Sequence, residues 1–232
     1  MREVIVTDLT RFKRKDKFCT AVIDVETGEC FRPMPYLTSQ NCIDLNIQPG
    51  TKIKGTLTKG INASSPHVED SSYSDLVHHG EISSNEFKEV LERSLSSDIS
   101  SGFGYDFPCG EKHIPVGANT NCSIIPIKVL PKDLTILEDQ FNAGRIKACV
   151  EDSSGKKFNF LSITDRGFYD YALEHYNDGS LSVLQNFIKQ QTEIYLRLGV
   201  SRVWDVNGKN GYWLQVNGIY TFPDFLPEVR AY

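Results

Sequence analysis

The sequence predicts a mainly β protein with a few helices (α+β), built from two similar halves. Three observations predict this fold class. Short stretches rich in alternating and β-branched residues fill most of the region 3–57. A hairpin-like segment at 21–34 has a counterpart at 148–161. Two Asn-Gly pairs within 207–211 supply the positive φ that a tight hairpin turn requires.

The region 1–95 is predicted to contain four strands and one helix. The strands are expected at 3–7, 18–25, 30–32 and 51–57. Pro33 and Pro35 should end the third strand, because proline cannot donate to a ladder. The polar region 60–80 predicts a loop. Ser83 followed by Glu86 fits a capping box, which indicates a helix that extends to Leu95.

After a long polar connection, β character resumes with a strand expected at 122–130, at the end of the first half. The second half is expected to contain a strand at 145–150, helices at 168–174 and 182–198, and a hairpin of 200–206 with 212–220. Apolar residues recur at three- and four-residue spacing through 182–198, and Gly199 suits the left-handed residue that ends many helices.

Internal repetition is the main argument for two halves. Aligning AVIDVETGECFRPM (21–34) with ACVEDSSGKKFNFL (148–161) matches the leading Ala, the turn Gly and the following Phe. A second similarity pairs Val6-Thr7-Asp8 with Ile163-Thr164-Asp165, in reversed order relative to the hairpin. A duplication is favoured over two unrelated hairpins that share turn chemistry.

Composition narrows the class of protein. The 232 residues carry a net charge of −5, which argues against a uniformly basic surface but allows a local basic groove. We find no signal-peptide pattern and no apolar run long enough for a membrane span, so we expect a cytoplasmic protein without a membrane partner. The six cysteines are expected to be reduced thiols.

Several segments together resemble a known family. They are Val6-Thr7-Asp8-Leu9-Thr10-Arg11, Arg32-Pro33, Pro66-His67-Val68-Glu69-Asp70, Leu196 to Arg202, and Tyr212 to Asp224. With these segments the chain resembles the bacterial dual OB-containing domain family over nearly its whole length. The resemblance implies two OB-type barrels in tandem, nucleic-acid or nucleotide recognition, and a role in conflict with phages. It implies no catalytic residues.

The residue patterns agree with that architecture, since two halves of short strands suit two small five-stranded barrels. We therefore predict two OB-like small β-barrels in tandem, the first over 1–130 with an inserted helix and the second over 131–232. The alternative is one larger β-sandwich with helical insertions.

The segment Pro66 to Asp70 is the best candidate for chemistry. His67 could bind a metal or transfer a proton, and Glu69 or Asp70 could orient it. A zinc-deaminase pattern fails, because Lys112 stands where a paired thiolate would be required. A loop in which these side chains hold neighbouring backbone is the alternative. The sequence carries no phosphate-binding glycine loop, nucleophile elbow or paired metal-ligating cysteines, so we expect neither a cofactor nor a metal.

Arginine and aromatic residues are the best candidates for ligand contacts. A guanidinium suits phosphate and stacks on bases, and aromatic rings supply further stacking faces. The predicted ligand-binding residues are Arg11, Lys13, Arg32, Arg166, Arg197, Arg202, Trp204, Trp213 and Gln215. Tyr36, Tyr169, Tyr171 and Tyr212 are further stacking candidates. Packing in a core and pairing with acids are the alternative roles for any of them.

These patterns predict a module that binds single-stranded nucleic acid or a nucleotide. The basic run 11–17 lies in a predicted loop after the first strand, where OB-folds often place binding loops. Two alternatives stay open. One is a metal-dependent nucleotide or nucleic-acid hydrolase centred on His67, Glu69 and Asp70. The other is a scaffold that binds a protein partner from the same operon.

Overall fold

The computed structural model of the protein describes residues 1–11, 16–60 and 63–230. Strands dominate, and five helices occur among the described residues. The strands form two sheets, one from each part of the chain. The predicted fold class is therefore confirmed: the protein is mainly β with a few helices and contains OB-like barrel architecture.

The first sheet is a closed five-stranded barrel. Its elements are β1 (Arg2–Thr10), β2 (Lys17–Asp24), β3 (Cys30–Pro33), β4 (Leu37–Thr38), α1 (Ser39–Asp44), β5 (Thr51–Lys59) and β6 (Asp70–Glu81). The barrel runs β1-β2-β3-β6-β5 and returns to β1. The pair β3–β6 is parallel, whereas its neighbours are antiparallel. Five strands closed in this way form an OB-type barrel.

The second sheet repeats this pairing order. Two helices, α2 (Ser84–Arg93) and α3 (Ile99–Phe103), lead into it. Its elements are β7 (His113–Pro115), β8 (Ile124–Val129), β9 (Leu134–Glu138), β10 (Ile146–Glu151), β11 (Lys157–Ile163), α4 (Arg166–Asn177), α5 (Leu181–Gln190), β12 (Glu193–Val200), β13 (Trp204–Val206) and β14 (Lys209–Phe222). β8 and β9 follow each other in the chain and together take the place of β1, because β9 pairs with β10 and β8 pairs with β12. β11 and β14 are parallel, as β3 and β6 are.

The hairpin repeat seen in the sequence has a structural counterpart. Residues 21–34 span the β2–β3 hairpin and 148–161 span the β10–β11 hairpin, which occupy the same place in the two sheets. The second similarity joins places that are not equivalent, since Val6 lies in β1 and Ile163 at the end of β11. β8 precedes the predicted division at 130/131 but pairs with β12, so the second sheet starts upstream of that division.

Two predicted elements are wrong. The region 60–80 contains β6, whose outward side chains are polar because that face meets solvent. The predicted helix at 182–198 ends at Gln190, and β12 follows it. β12 lies between β8 and β14 and is buried on both faces, so its apolar run imitates a helical stripe. Gly199 belongs to this strand, where a Cβ would come within 2.2 Å of the Asn217 amide nitrogen.

A shared core fixes the two halves relative to each other. Each half has its own apolar cluster, and a third cluster lies between them. This junction core combines strands β1, β2, β12 and β14 with helix α2, through the side chains of Ile5, Ile23, Phe87, Leu91, Tyr195 and Tyr220. Because its members come from both halves, any cleft between the halves has walls held by packing.

Polar contacts also cross the junction. Arg197 Nε donates to Asp8 Oδ2 at 2.8 Å, and the Tyr220 hydroxyl donates to the Thr7 carbonyl at 2.6 Å. The Arg11 amide donates to the Thr164 carbonyl at 2.8 Å. These contacts join β1, and Arg11 directly after it, to the second half.

Candidate functional site

A cleft of about 940 Å³ lies between the two halves. Its walls come from both sheets, and it lies beside the junction core. A volume of this size is at the upper end of the range that holds small-molecule ligands. The cleft is therefore the first place to look for a binding function.

The first half contributes residues from its barrel strands and the loops beside them. Arg11 follows β1, Cys19 lies on β2, Arg32 lies on β3, and Tyr36 follows β3. Alternation along β2 turns Phe18 into the barrel core and leaves Cys19 on the cleft side. This wall is therefore the outer face of barrel strands whose inner side chains pack in the barrel core.

The second half faces this wall with polar and apolar side chains. Ser162 lies on β11, Gln215 and Asn217 lie on β14, and Arg145 precedes β10. Trp204 begins β13. The parallel pair β11–β14 brings Ser162 opposite Gln215, so both walls are built on rigid strands.

Residues in corresponding connections of the two halves line the cleft. In the first half these are Arg11, directly after β1, and His67, between β5 and β6. In the second half Arg145 lies in the loop between β9 and β10, and Arg202 lies between β12 and β14. OB-folds bind oligonucleotides and oligosaccharides with these loops and the adjacent strands.

Asp70 holds two arginines of the cleft in place. It accepts from Arg32 Nε at 2.6 Å and from both terminal nitrogens of Arg202, at 2.8 and 3.0 Å. Although burial works against it, the hydrogen bonds from Arg202 and the nearby charge of Arg32 lower the pKa of Asp70. One carboxylate thus serves two guanidinium groups, and positive charge remains in excess.

Glu69 has a structural position. Its carboxylate accepts from the Ser123 amide and hydroxyl, both at 2.7 Å, and from the Ile124 amide at 3.1 Å. Both oxygens are therefore occupied by the segment that begins β8. This is the alternative that the sequence left open for the 66–70 loop, in which its carboxylates hold neighbouring backbone.

His67 is buried without a hydrogen-bond partner for either ring nitrogen. Its ring packs edge-on against Tyr212, with centroids 5.6 Å apart. Burial, with Arg32 and Arg202 nearby, lowers the pKa of His67 to about 3, so the ring is neutral at pH 7. His67 lines the cleft, and the carbonyl of Ser201, another lining residue, acts on its ring to raise the pKa against the larger effect of burial.

Two of the cleft arginines have no ion pair within the described part of the chain. They are Arg11, whose guanidinium lies over the Tyr169 ring at 3.2 Å from its centroid, and Arg145. Both side chains are exposed. An exposed guanidinium without an acidic partner remains available to an anionic ligand.

Trp204 offers an exposed aromatic face at the cleft. It is 62% exposed, and its carbonyl accepts from the indole nitrogen of Trp213 at 3.1 Å. The Trp213 ring lies against His113, with centroids 4.9 Å apart, and does not line the cleft. Trp213 therefore supports the hairpin that presents Trp204.

Three predicted ligand contacts, Arg166, Arg197 and Trp213, do not line the cleft. Arg197 is 1% exposed and paired with Asp8, so it joins the halves rather than facing a ligand. Arg166 begins α4 and lies over the Phe18 ring, outside the cleft lining. Lys13 lies outside the described residues.

The sequence reasoning missed Arg145, Cys19 and Asn217 as lining residues. The internal repeat could have indicated Arg145. This residue directly precedes β10, the equivalent of β2, and Arg11 lies in the corresponding connection before β2. Nothing comparable indicated Cys19 or Asn217, whose side-chain directions follow from strand register.

The described residues contain no group of three or more histidine, cysteine or acidic side chains placed to hold a metal ion. In the same part of the chain, none of the helices has the length and apolar character needed to cross a membrane.

Comparison with known proteins adds little. No family model and no curated protein matches the chain. Among solved structures, the chain is similar to a murine DNA-binding protein solved with bound double-stranded DNA, with 13% sequence identity and a TM-score of 0.33, over 94% of this chain and 95% of that one. A similarity this low carries no argument about function.

Proposed function

We propose that the protein binds single-stranded nucleic acid or a nucleotide in the cleft between its halves. One observation carries the proposal. Arg11, Arg32, Arg145 and Arg202 converge on one cleft from both halves, and its described lining contains no acidic residue. The chain has a net charge of −5, so this concentration of arginines is not a reflection of overall composition.

The chemistry of the lining suits a nucleotide. Guanidinium groups neutralise phosphates, and the exposed ring of Trp204 can stack on a base. Gln215 and Asn217 place amide groups between these elements, where they can donate to and accept from base edges. Phosphate, base and hydrogen-bonding contacts thus have separate partners within one site.

The size of the cleft favours a single strand over a duplex. About 940 Å³ accommodates a nucleotide or a few unstacked nucleotides, in the range of ligand pockets. A double helix would have to lie across the mouth, away from Arg32 and His67.

We further propose that the chain belongs to the dual OB-containing domain family. Two successive sheets with the same pairing order support that assignment. The bacterial, anti-phage setting that the family implies stays a prediction, as does a protein partner from the same operon. A hydrolase centred on Glu69 and Asp70 is not proposed, because the oxygens of both carboxylates are engaged with protein donors.

Fluorescence polarisation tests the proposal directly. Labelled single-stranded DNA and RNA of about 16 nucleotides, the upper site size of one OB fold, would be titrated at about 50 and 200 mM salt, with a duplex of the same sequence as comparison. We expect micromolar or tighter binding of the single strands that weakens sharply with salt. Absence of binding to strands and to nucleotides at the lower salt would overturn the proposal.

A further inference from the structure

The floor of the cleft contains buried nitrogens that the protein leaves unpaired. They are Nη2 of Arg32 and both ring nitrogens of His67. Arg32 is 4% exposed and His67 is 8% exposed, and both residues line the cleft. A buried polar group without a partner destabilises the folded state, so such groups call for an explanation outside the stability of the fold.

The surrounding network fixes the direction of Arg32. Asp70 holds its Nε, and the Ser123 hydroxyl accepts from its Nη1 at 3.2 Å. Ser123 is itself held by Glu69 through its amide and hydroxyl. Two of the three guanidinium nitrogens are thus committed, and Nη2 is left as an oriented donor without an acceptor.

The charge at this floor selects the kind of ligand. Arg32 and Arg202 line the cleft and share the carboxylate of Asp70, whereas the other carboxylate nearby, that of Glu69, is taken up by Ser123 and Ile124. The charged groups that line the cleft are therefore positive. A neutral His67 adds one N–H donor. Bound cations are disfavoured beside two arginines, and an apolar ligand would leave the nitrogens unpaired. A phosphate group offers the several acceptor oxygens that these donors require.

We propose that the floor of the cleft is a phosphate subsite, in which Arg32 Nη2 and one ring nitrogen of His67 donate to phosphate oxygens and Arg202 supplies further positive charge. The subsite deepens the proposed function, on which it rests, by naming where a phosphate of the ligand lies. A terminal phosphate of a nucleotide and a phosphodiester within a strand share this chemistry.

His67→Phe is the decisive variant. It removes both ring nitrogens, neither of which makes a hydrogen bond of good geometry, and keeps a ring against Tyr212, so its main loss in the free protein is the interaction with the Ser201 carbonyl. We expect its resistance to urea to stay close to that of the wild type, whereas its affinity for ligand falls about tenfold or more. If His67 had only a structural role, its replacement would lower stability and would not reduce affinity on its own. His78→Phe, on an exposed position of β6, is the matched control.

Arg32→Lys is the second variant, because it keeps a positive charge beside Asp70 and removes Nη2. The probes are labelled single strands with a 5′-phosphate, with a 3′-phosphate or with two hydroxyl ends, measured by fluorescence polarisation. An equal loss for all three in both variants indicates an internal phosphodiester. A loss confined to one phosphorylated end indicates a terminal phosphate.

The two proposals fail in different ways. If wild-type protein binds the strands and both variants bind them equally well, the subsite is overturned and strand binding stands. If wild-type protein binds no strand, calorimetric titration with pyrophosphate tests the subsite alone. Heat of binding that His67→Phe abolishes supports it, and absence of heat with the wild type overturns it.

Discussion

Arg197 on β12 and Asp8 on β1 form an ion pair at 2.8 Å across the junction of the two halves, and each side chain is 1% exposed. Arg197 also lies within 3.5 Å of the Cys30 sulfur, and burial raises the pKa of that thiol to about 12. The arginine that sequence reasoning assigned to a ligand is thus part of the link between the halves.

Arg197→Met should destabilise the protein by about 3–5 kcal/mol, because it leaves the Asp8 carboxylate buried without its cation. Urea denaturation measures the change. The double variant Asp8→Leu with Arg197→Met should recover much of the loss, since no charge then stays buried. Lys189→Met, on the exposed side of α5, is a control that should leave the midpoint of urea denaturation unchanged. A single Arg197→Met variant with wild-type stability would contradict the structural role.

Glu69→Gln should lower the free energy of unfolding by about 1.5–3 kcal/mol, because the carboxylate receives three hydrogen bonds that the charge strengthens. Chemical denaturation tests this, with Glu89→Gln on the exposed face of α2 as control. A residue that served only as a catalytic base would leave stability unchanged when replaced.

Arg11→Ala and Arg145→Ala should each weaken strand binding and reduce its salt dependence. Each lost phosphate contact lowers the slope of log K against log salt by about 0.7 for a single strand. Polarisation titrations over several salt concentrations give the slope. Lys132→Ala, on an exposed site outside the cleft lining, should leave the slope as it is. Unchanged slopes for both variants would show that neither Arg11 nor Arg145 contacts a phosphate of the strand.

Trp204→Ala should reduce affinity for a single strand about 5- to 150-fold, since one base–aromatic stack contributes about 1–3 kcal/mol. Binding is measured by polarisation, and tryptophan fluorescence quenching by ligand should diminish in parallel. Phe141, which is 76% exposed and does not line the cleft, supplies the control Phe141→Ala. Equal losses in the two variants would show that the cleft is not the stacking site.

The protein should lose stability on acidification partly through His67. Its pKa is lowered to about 3 in the folded state, from an ordinary value of 6.5, so below pH 6.5 the unfolded chain binds a proton that the folded chain does not. Stability therefore falls with decreasing pH, with a contribution of up to about 1.4 kcal/mol per pH unit. Denaturation from pH 7.5 to 5 should show a shallower dependence for His67→Phe. Parallel curves would contradict a neutral, buried His67.

Local chemistry made much of the fold predictable. The capping box at Ser83 and Glu86 forms as expected, with each backbone amide bonded to the other side chain. The Asn207-Gly208 turn has positive φ at both residues, as a two-residue hairpin loop requires. These signals act within a few residues, so the sequence displays them directly.

The candidate site was only partly predictable, because its composition depends on which face of a strand a side chain takes. Arg197 and Arg202 stand five residues apart, yet one is buried against Asp8 and the other lies in the cleft with Asp70. Residue type indicated an ionic role for both. Arg197 lies on β12, whose pairing with β8 and β14 buries it, whereas Arg202 lies two residues beyond the end of that strand, so the position of the strand end decides between the two places.

The junction core also sets the order in which a growing chain can fold. Ile5 and the Thr7 carbonyl of the first strand meet Tyr220 and Phe222 of the last. During synthesis β1 can pair with β2 and β5, and α2 can cover part of its junction side, but the rest of that side stays uncovered until β14 has left the ribosome. Contacts of such long sequence separation slow folding and prolong the exposure of apolar surface. A nascent chain interrupted after the first barrel would therefore expose the apolar junction side of β1 to chaperones. Packing of β14 would bury that surface.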